Sequence, residues 1–341
     1  MDRNVLTVEL MRMVARLGPR NGHTAIHPLR EHPMERYSFP LCLYEFDDGV
    51  FVIAAERQDL VGAELAAVDG TDIDEVLSAV APLIGHDNEW TIRARRPDFV
   101  VDAAVLRGLD LVGGDRRATF GLRRPNGKVV DLALDAIATG DYLARFDGDF
   151  AAERSAPAHL RRIRESHWAG LAADGLAVQV GYNVTLGSTE DLADQVEALA
   201  KRSQVGLVVA DLRHNRGGDN TTYGPLLHAL QRLSDEKRLA VLTSRATFSA
   251  AMQLVVDLEQ STPAIFVGEP TGASPNHYGD ATAIELPNSG LNAYVATIAW
   301  MTGGESDERL TREPDISVTN DSRAFFAGRD PVLDAAVAAI S

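Results

Sequence analysis

Val208-Val209-Ala210-Asp211-Leu212-Arg213-His214-Asn215-Arg216-Gly217-Gly218 is the stretch on which the reading of the fold turns. An apolar strand runs into a short polar turn that closes on two glycines. Glycines at a strand end let a backbone approach a neighbour closely, and free N–H groups there can point at an oxyanion. A plain strand-to-helix turn uses the same residues, so this segment alone leaves both roles open.

Outward from it, the pattern alternates. Upstream lie a strand at Leu176–Val180 and a helix over 188–202; the quoted strand spans Val205–Leu212. Downstream come a helix near 221–233, a strand Ala240–Thr243, a helix near 248–260 and a strand Ala264–Val267. Such alternation predicts an α/β layer fold. From 40 to 138 the chain is β-rich instead. Val50–Ala54 and Glu64–Val68 read as strands, the second closed by Asp69-Gly70, and 72–84 as a short amphipathic helix. Ala118–Leu132 reads as a hairpin around Asn126-Gly127. That order resembles the later part of a PDZ-like module. Residues 5–17 carry apolar side chains at helical spacing, Gly18-Pro19 ends that helix, and a loop with Gly22-His23-Thr24 follows. The polar stretch 139–166, with Gly140, Gly148 and Pro157, marks a boundary. The expected organisation is therefore 1–39 as an N-terminal helix and His-bearing loop, 40–138 as the β-rich PDZ-like segment, and 139–341 as the α/β core.

The chain has 341 residues, more than one compact core usually serves. With 45% hydrophobic and 24% charged residues it has ordinary globular composition. No apolar run approaches the ~18 residues of a membrane helix, and the first residues lack an apolar signal core, so a cytoplasmic location is expected. A net charge of −16 opposes nucleic acid phosphates and anionic membranes, which removes both as expected partners. Cys42 is the only cysteine and permits no internal disulfide; within Phe39-Pro40-Leu41-Cys42-Leu43-Tyr44 it reads as part of a buried strand. Clustered Cys and His ligands are missing from the sequence, so neither a metal nor an organic cofactor is expected.

A second chemical signal is Thr247-Phe248-Ser249-Ala250-Ala251-Met252, between a strand and an apolar-periodic helix. A serine there can be an N-cap. It can also be a nucleophile, because at a strand-to-helix elbow the next N–H and the positive helix end both stabilise an oxyanion. Three further segments follow: Val267-Gly268-Glu269-Pro270-Thr271-Gly272, Ile284-Glu285-Leu286-Pro287-Asn288-Ser289-Gly290-Leu291, and Glu313-Pro314-Asp315-Ile316. Each is weak alone.

Their order and spacing together resemble the core of the tail-specific serine peptidases, the family of the C-terminal-processing peptidases and the tricorn core. The likeness covers about residues 155–320. It implies a crotonase/Clp-protease-type α/β core and peptide-bond hydrolysis through an acyl-enzyme. It places Ser249 at the nucleophile position, with oxyanion donors at Ala250 and at Gly217 or Gly218. The substrate implied is a peptide or unfolded protein. Assembly into a homo-oligomer and the cleavage preference are left open.

A serine hydroxyl needs a base. Many family members look to use a lysine after the G-E-x-T motif, but Ser274 stands there, and the only lysines are Lys128, Lys201 and Lys237. His23 resembles the histidine that tricorn-type members bring from an N-terminal segment, although Gly22 replaces the serine that precedes it there. An imidazole, with an ordinary pKa of ~6.5, suits base work. Glu308 falls near the tricorn-type glutamate that would orient the ring. His277, in Ser274-Pro275-Asn276-His277-Tyr278, is the rival base. Asp211 and Arg213 read as braces of the glycine loop, and His214 as structural or substrate-facing. The alternative to an enzyme is a binding module that holds a peptide or apolar ligand in the same cleft with its base lost.

Overall fold

The structure, a computed structural model, describes residues 2–30, 32, 34–146 and 157–339. The fold is mixed α/β with several sheets. The chain divides into two compact units. One comprises Met1–Phe150 with Tyr278–Ala299, the other Ala151–His277 with Trp300–Ser341.

The second unit is built on a six-stranded sheet. Its order is Ile316–Ser317, Ile265–Gly268, Arg238–Thr243, Leu207–Asp211, Ala177–Tyr182, His167–Ala172. All neighbours are parallel except the last pair. Strand side chains alternate between faces. Val178, Val208, Ala210 and Val241 accordingly pack with Leu192, Leu226, Leu230, Leu254 and Val255, from helices Glu190–Ala200, Gly224–Ser234 and Ala250–Ser261. Leu207, Val209, Ala240 and Leu242 face the other way, onto Val332 and Ala336 of helix Pro331–Ala338. A parallel sheet covered on both faces is what the strand–helix alternation implies.

The first unit holds an antiparallel sheet in the order Leu41–Phe46, Gly49–Ala55, Glu64–Val68, Arg117–Arg123, Val129–Asp135, with Thr71–Asp72 pairing on Glu64–Val68. The Asn126-Gly127 hairpin forms with Gly127 at φ +80°. Helix Arg3–Ala15 starts on an Asp2 cap and buries Val8 and Met11. Within 40–138, the helices Glu89–Val100 and Ala103–Gly108 go beyond the sequence expectation. The first contains Pro97, and its Arg93 and Arg96 pair with the Glu45 carboxylate instead of forming an apolar stripe. The stretch read as a polar boundary carries helix Thr139–Phe146, which buries Tyr142 and Phe146. Gly148 and its neighbours 147–156 lie outside the described residues. The fourth motif forms the hairpin Thr282–Leu286/Leu291–Val295, which belongs to this first unit and bridges to Ala25 through Tyr294.

Among the described residues no helix is long and apolar enough to cross a membrane.

Candidate active site

Ser249 stands between strand Arg238–Thr243 and helix Ala250–Ser261 with φ 56° and ψ −127°. N-cap residues normally adopt extended backbone, and a non-glycine residue at positive φ is strained. Its side chain makes no capping hydrogen bond to the helix. Strain of this kind costs about 1–3 kcal/mol and persists only where the surroundings impose it. Here they do. Thr247 Oγ1 donates to Leu212 O (2.9 Å), Ser244 Oγ to Arg213 O (2.6 Å) and Phe248 N–H to Asn215 O (3.0 Å). The elbow is thus bound along the turn that leads to the glycine pair. On its other side, the Gly272 and Ala273 N–H groups donate to Thr247 O at 3.2 and 3.3 Å.

The glycines lie directly against the serine. A Cβ on Gly217 would stand 2.5 Å from Ser249 Cβ and 3.0 Å from Ala250 N, and its φ is +100°. A Cβ on Gly218 would stand 2.1 Å from Thr185 O, at φ +143°. Asn215, fully buried, accepts Gly217 N–H at 2.9 Å and Thr185 Oγ1–H at 3.2 Å. The parallel bridge from Thr185 to Gly218 uses Gly217 O (3.0 Å) and Asp219 N–H (2.7 Å), so the N–H and C=O of Gly218 take no part in it. Ala250 N–H, first in its helix, is one of the donors a helix leaves without an internal acceptor. Gly217→Ala is therefore expected to cut any Ser249-dependent turnover about 10²–10³-fold, the scale of a lost oxyanion contact. Turnover within threefold of the parent in a folded variant would contradict the close approach.

Two solved structures share this arrangement of elements. Mature CPAF matches over 98% of this chain and 87% of its own at 14% identity, with a TM-score of 0.66. CPAF complexed with lactacystin matches over 96% and 86% at 13% identity, TM-score 0.65. A photosystem II D1 C-terminal processing protease aligns at a TM-score of 0.36 and 15% identity, over 87% of this chain and 78% of its own. These are tail-specific, S41-type peptidases. The fold is that of the tail-specific serine peptidases. No family model and no curated protein sequence matches the chain.

Within that peptidase fold, the third motif supplies structure. Glu269 is buried against Arg245 at 3.1 Å, and Gly272 lets the chain pass where a Cβ would lie 2.0 Å from Arg245 O. His277 follows in the same unit, 2% exposed, with Nδ1 2.9 Å from Ser274 O. A carbonyl partner makes Nδ1 the protonated nitrogen and leaves Nε2 the acceptor. Asn276 Nδ2 donates to Gly304 O (2.7 Å) and Asp307 O (2.9 Å), and Ser274 Oγ donates to Leu310 O (2.8 Å). The segment 304–310 is held there beside the His277 strand. Glu308, on that segment, is exposed. His23 lies in the first unit, half-buried, between Gly22, whose N–H donates to Asp87 Oδ1 (2.6 Å), and Thr24, whose Oγ1 accepts Ala296 N–H (3.0 Å).

Asp211, Arg213 and His214, singled out in the sequence, belong to a buried cluster whose other members, His159, Asp330 and Gln179, sequence reasoning passed over. Arg213 forks onto Asp211 (2.6 and 2.9 Å) and Asp330 (2.7 and 2.9 Å), and Gln179 also donates to Asp211. Beside them, His159 Nδ1 and His214 Nε2 lie 2.8 Å apart with the rings nearly parallel, and His159 Nε2 is 3.5 Å from Asp330. Burial, aided by the Arg213 charge, pushes His159 down to about 3. Burial likewise takes His214 to about 4. Burial alone would raise Asp211 and Asp330, but the Arg213 charge and hydrogen bonds outweigh it and hold both below the usual range.

Both histidines therefore fold neutral and unfold protonatable. Their stabilising share is whole above the unfolded value of ~6.5 and falls as pH drops toward 4, by at most about 1.4 kcal/mol per pH unit for each. Urea midpoints are expected to decline from pH 7 to pH 5, with a shallower slope in the His159→Asn/His214→Asn protein. An identical slope in that variant would show that the pair does not titrate this way. Half-buried His27 and His32, also depressed by burial first, add to the slope that remains.

Proposed function

We propose that this chain is a serine peptidase that hydrolyses peptide bonds through an acyl-enzyme on Ser249. The observation that carries this reading is the serine's strained backbone at a helix N-terminus, pressed against Gly217. A capping serine needs neither the strain nor the glycine contact. Attack by Ser249 Oγ would place the new oxyanion near Gly218 N–H and Ala250 N–H, with Gly217 N–H committed to Asn215. The likeness to mature CPAF over nearly the whole chain supports the same reading. In this proposal the second unit contains the crotonase/Clp-type core, residues 40–138 of the first unit form a PDZ-like segment, and the substrate is a peptide or unfolded protein.

The base is assigned to His23 on the tricorn-type resemblance, with Glu308 as the carboxylate that orients it. His277 is the rival, supported by its acceptor Nε2 and its place in the same unit as Ser249. The test of the whole reading is reaction with a fluorophosphonate, which modifies only an activated serine quickly. Peptide mapping should locate the adduct on Ser249. A folded protein that fails to label would favour the binding-module reading instead.

A further inference from the structure

Two elements bring donors to Ser249, the turn 217–219 and helix Ala250–Ser261. An oxyanion formed there would take Gly218 N–H from the turn and Ala250 N–H from the helix. Both donors must lie about 2.7–3.1 Å from one point, so the offset between the two elements enters the chemistry directly. A misplacement of about 1 Å can cost about 10²-fold in rate.

Hydrogen bonds hold the two stretches side by side. Phe248 N–H donates to Asn215 O (3.0 Å), Asn220 Nδ2 to Gln253 Oε1 (2.7 Å) and Tyr223 Oη to Asp257 Oδ2 (2.6 Å). The first lies before both donors, and the last lies about two helical turns beyond Ser249. The middle bond stands close after both: Asn220 follows Gly218 by two positions and Gln253 follows Ala250 by three.

Gln253 sits one turn after Ser249 on the same helix face, and its N–H donates to Ser249 O (3.2 Å). Its side chain is 4% exposed, among the buried Ala250, Ala251, Met252, Leu254 and Val255. An apolar residue would fill that place without a partner, whereas a buried amide must find one. What the amide adds is direction. A hydrogen bond fixes a distance and an angle between two groups, and apolar packing does not. On the turn side, Asp219 N–H donates to Thr185 O (2.7 Å), Asp219 Oδ1 accepts Thr221 N–H and Oγ1–H (2.9 and 2.7 Å), and Thr189 Oγ1 donates to Thr222 O (3.0 Å). Those bonds fasten the turn to 185–189 and to itself. Asn220 fastens it to the helix that follows Ser249.

We propose that Asn220 is a positioning residue: through Gln253 it sets the offset between Gly218 N–H and Ala250 N–H, and so acts on the transition state and not on substrate binding. This rests on Ser249 being the reacting centre.

The test is phosphonylation by a fluorophosphonate–rhodamine probe, resolved into reversible binding (KI) and bond formation (kinact). In the second step Ser249 Oγ adds to phosphorus, fluoride leaves, the hydroxyl proton passes to the base, and the phosphoryl oxygen gathers the charge that the two donors stabilise. Asn220→Ala and Gln253→Met are each expected to lower kinact about 10–100-fold with KI within about twofold of the parent. The double variant should lose no more than either alone, because the pair acts as one unit. Exchanging the amides, Asn220→Gln with Gln253→Asn, keeps their combined reach and should bring kinact back to within about threefold of the parent. Thermal melts establish which variants fold, and Gln253→Met, close in shape and apolar, carries the test if Asn220→Ala does not. A kinact within threefold of the parent in the folded single variants, a loss that appears in KI instead, additive losses in the double variant, or no recovery on exchange would overturn the proposal. Failure of the catalytic reading looks different: the parent itself then does not label, and the proposal falls with it.

Discussion

Ser249→Ala is expected to lower peptidase turnover by about 10⁴–10⁶-fold, the scale on which loss of a serine nucleophile acts, while leaving the thermal melt within a degree or two of the parent. The two readouts separate the two roles a serine can have at this place. A capping serine replaced by alanine costs about 0.5–2 kcal/mol and nothing specific in chemistry. Ser249 makes no capping hydrogen bond, so that cost is not expected. The backbone strain at φ 56° is common to both residues, since alanine is no better suited to positive φ than serine. What changes is the hydroxyl alone. Turnover that survives in a well-folded Ser249→Ala protein would remove the enzyme reading. A large loss of stability with turnover per folded molecule retained would restore the cap.

The elements that position Ser249 were legible because each follows from a short-range rule. Apolar runs at 207–211 and 238–243 are buried on both faces, and the helices between them carry their own apolar period. Gly217-Gly218 announces positive φ in sequence, and both residues have it. Ser249's own positive φ has no such sign, because serine gives no local preference for it; only the neighbouring hydrogen bonds impose it. Helix Glu89–Val100 was illegible for a related reason. Its arginines satisfy Glu45, more than forty positions away, so the period that marks an amphipathic helix is missing. Long-range pairs such as His159–His214 and Arg245–Glu269 depend on sheet register and loop closure, and no spacing rule encodes them. The hairpin at 282–295 shows the same limit. Its motif is plain in the sequence, while its membership in the first unit is settled by long-range contacts, the pairing to Ala25, the Asn292 N–H bond to His32 Nδ1 and the packing of Leu291 and Ala293 in that unit's core among them.

The base is the remaining test of the chemistry, and two substitutions decide it together. His23→Ala is expected to lower kcat/KM by about 10³–10⁶-fold, because serine attack without a proton acceptor falls back on oxyanion stabilisation and binding alone. Its effect on the melt should be small, as His23 is only half-buried. His277→Ala should behave in the opposite way. That ring is 2% exposed and tied to Ser274 O, so its removal leaves a cavity and an unmatched carbonyl, at about 1–3 kcal/mol. His277→Asn offers a control, since an amide N–H can replace the Nδ1 donor without supplying a base of imidazole strength. If His23 is the base, His277→Asn recovers stability and retains most turnover, and the acid limb of the pH–rate profile persists in it. If His277 is the base, its Asn variant melts near the parent yet is inactive, and His23→Ala keeps its rate. That outcome would overturn the tricorn-type assignment and direct attention to the 304–310 segment held beside His277, with Glu308 on it. Should both variants fold and turn over at the parent's rate, neither imidazole serves Ser249, and the cleft is better read as one that holds a peptide without cutting it.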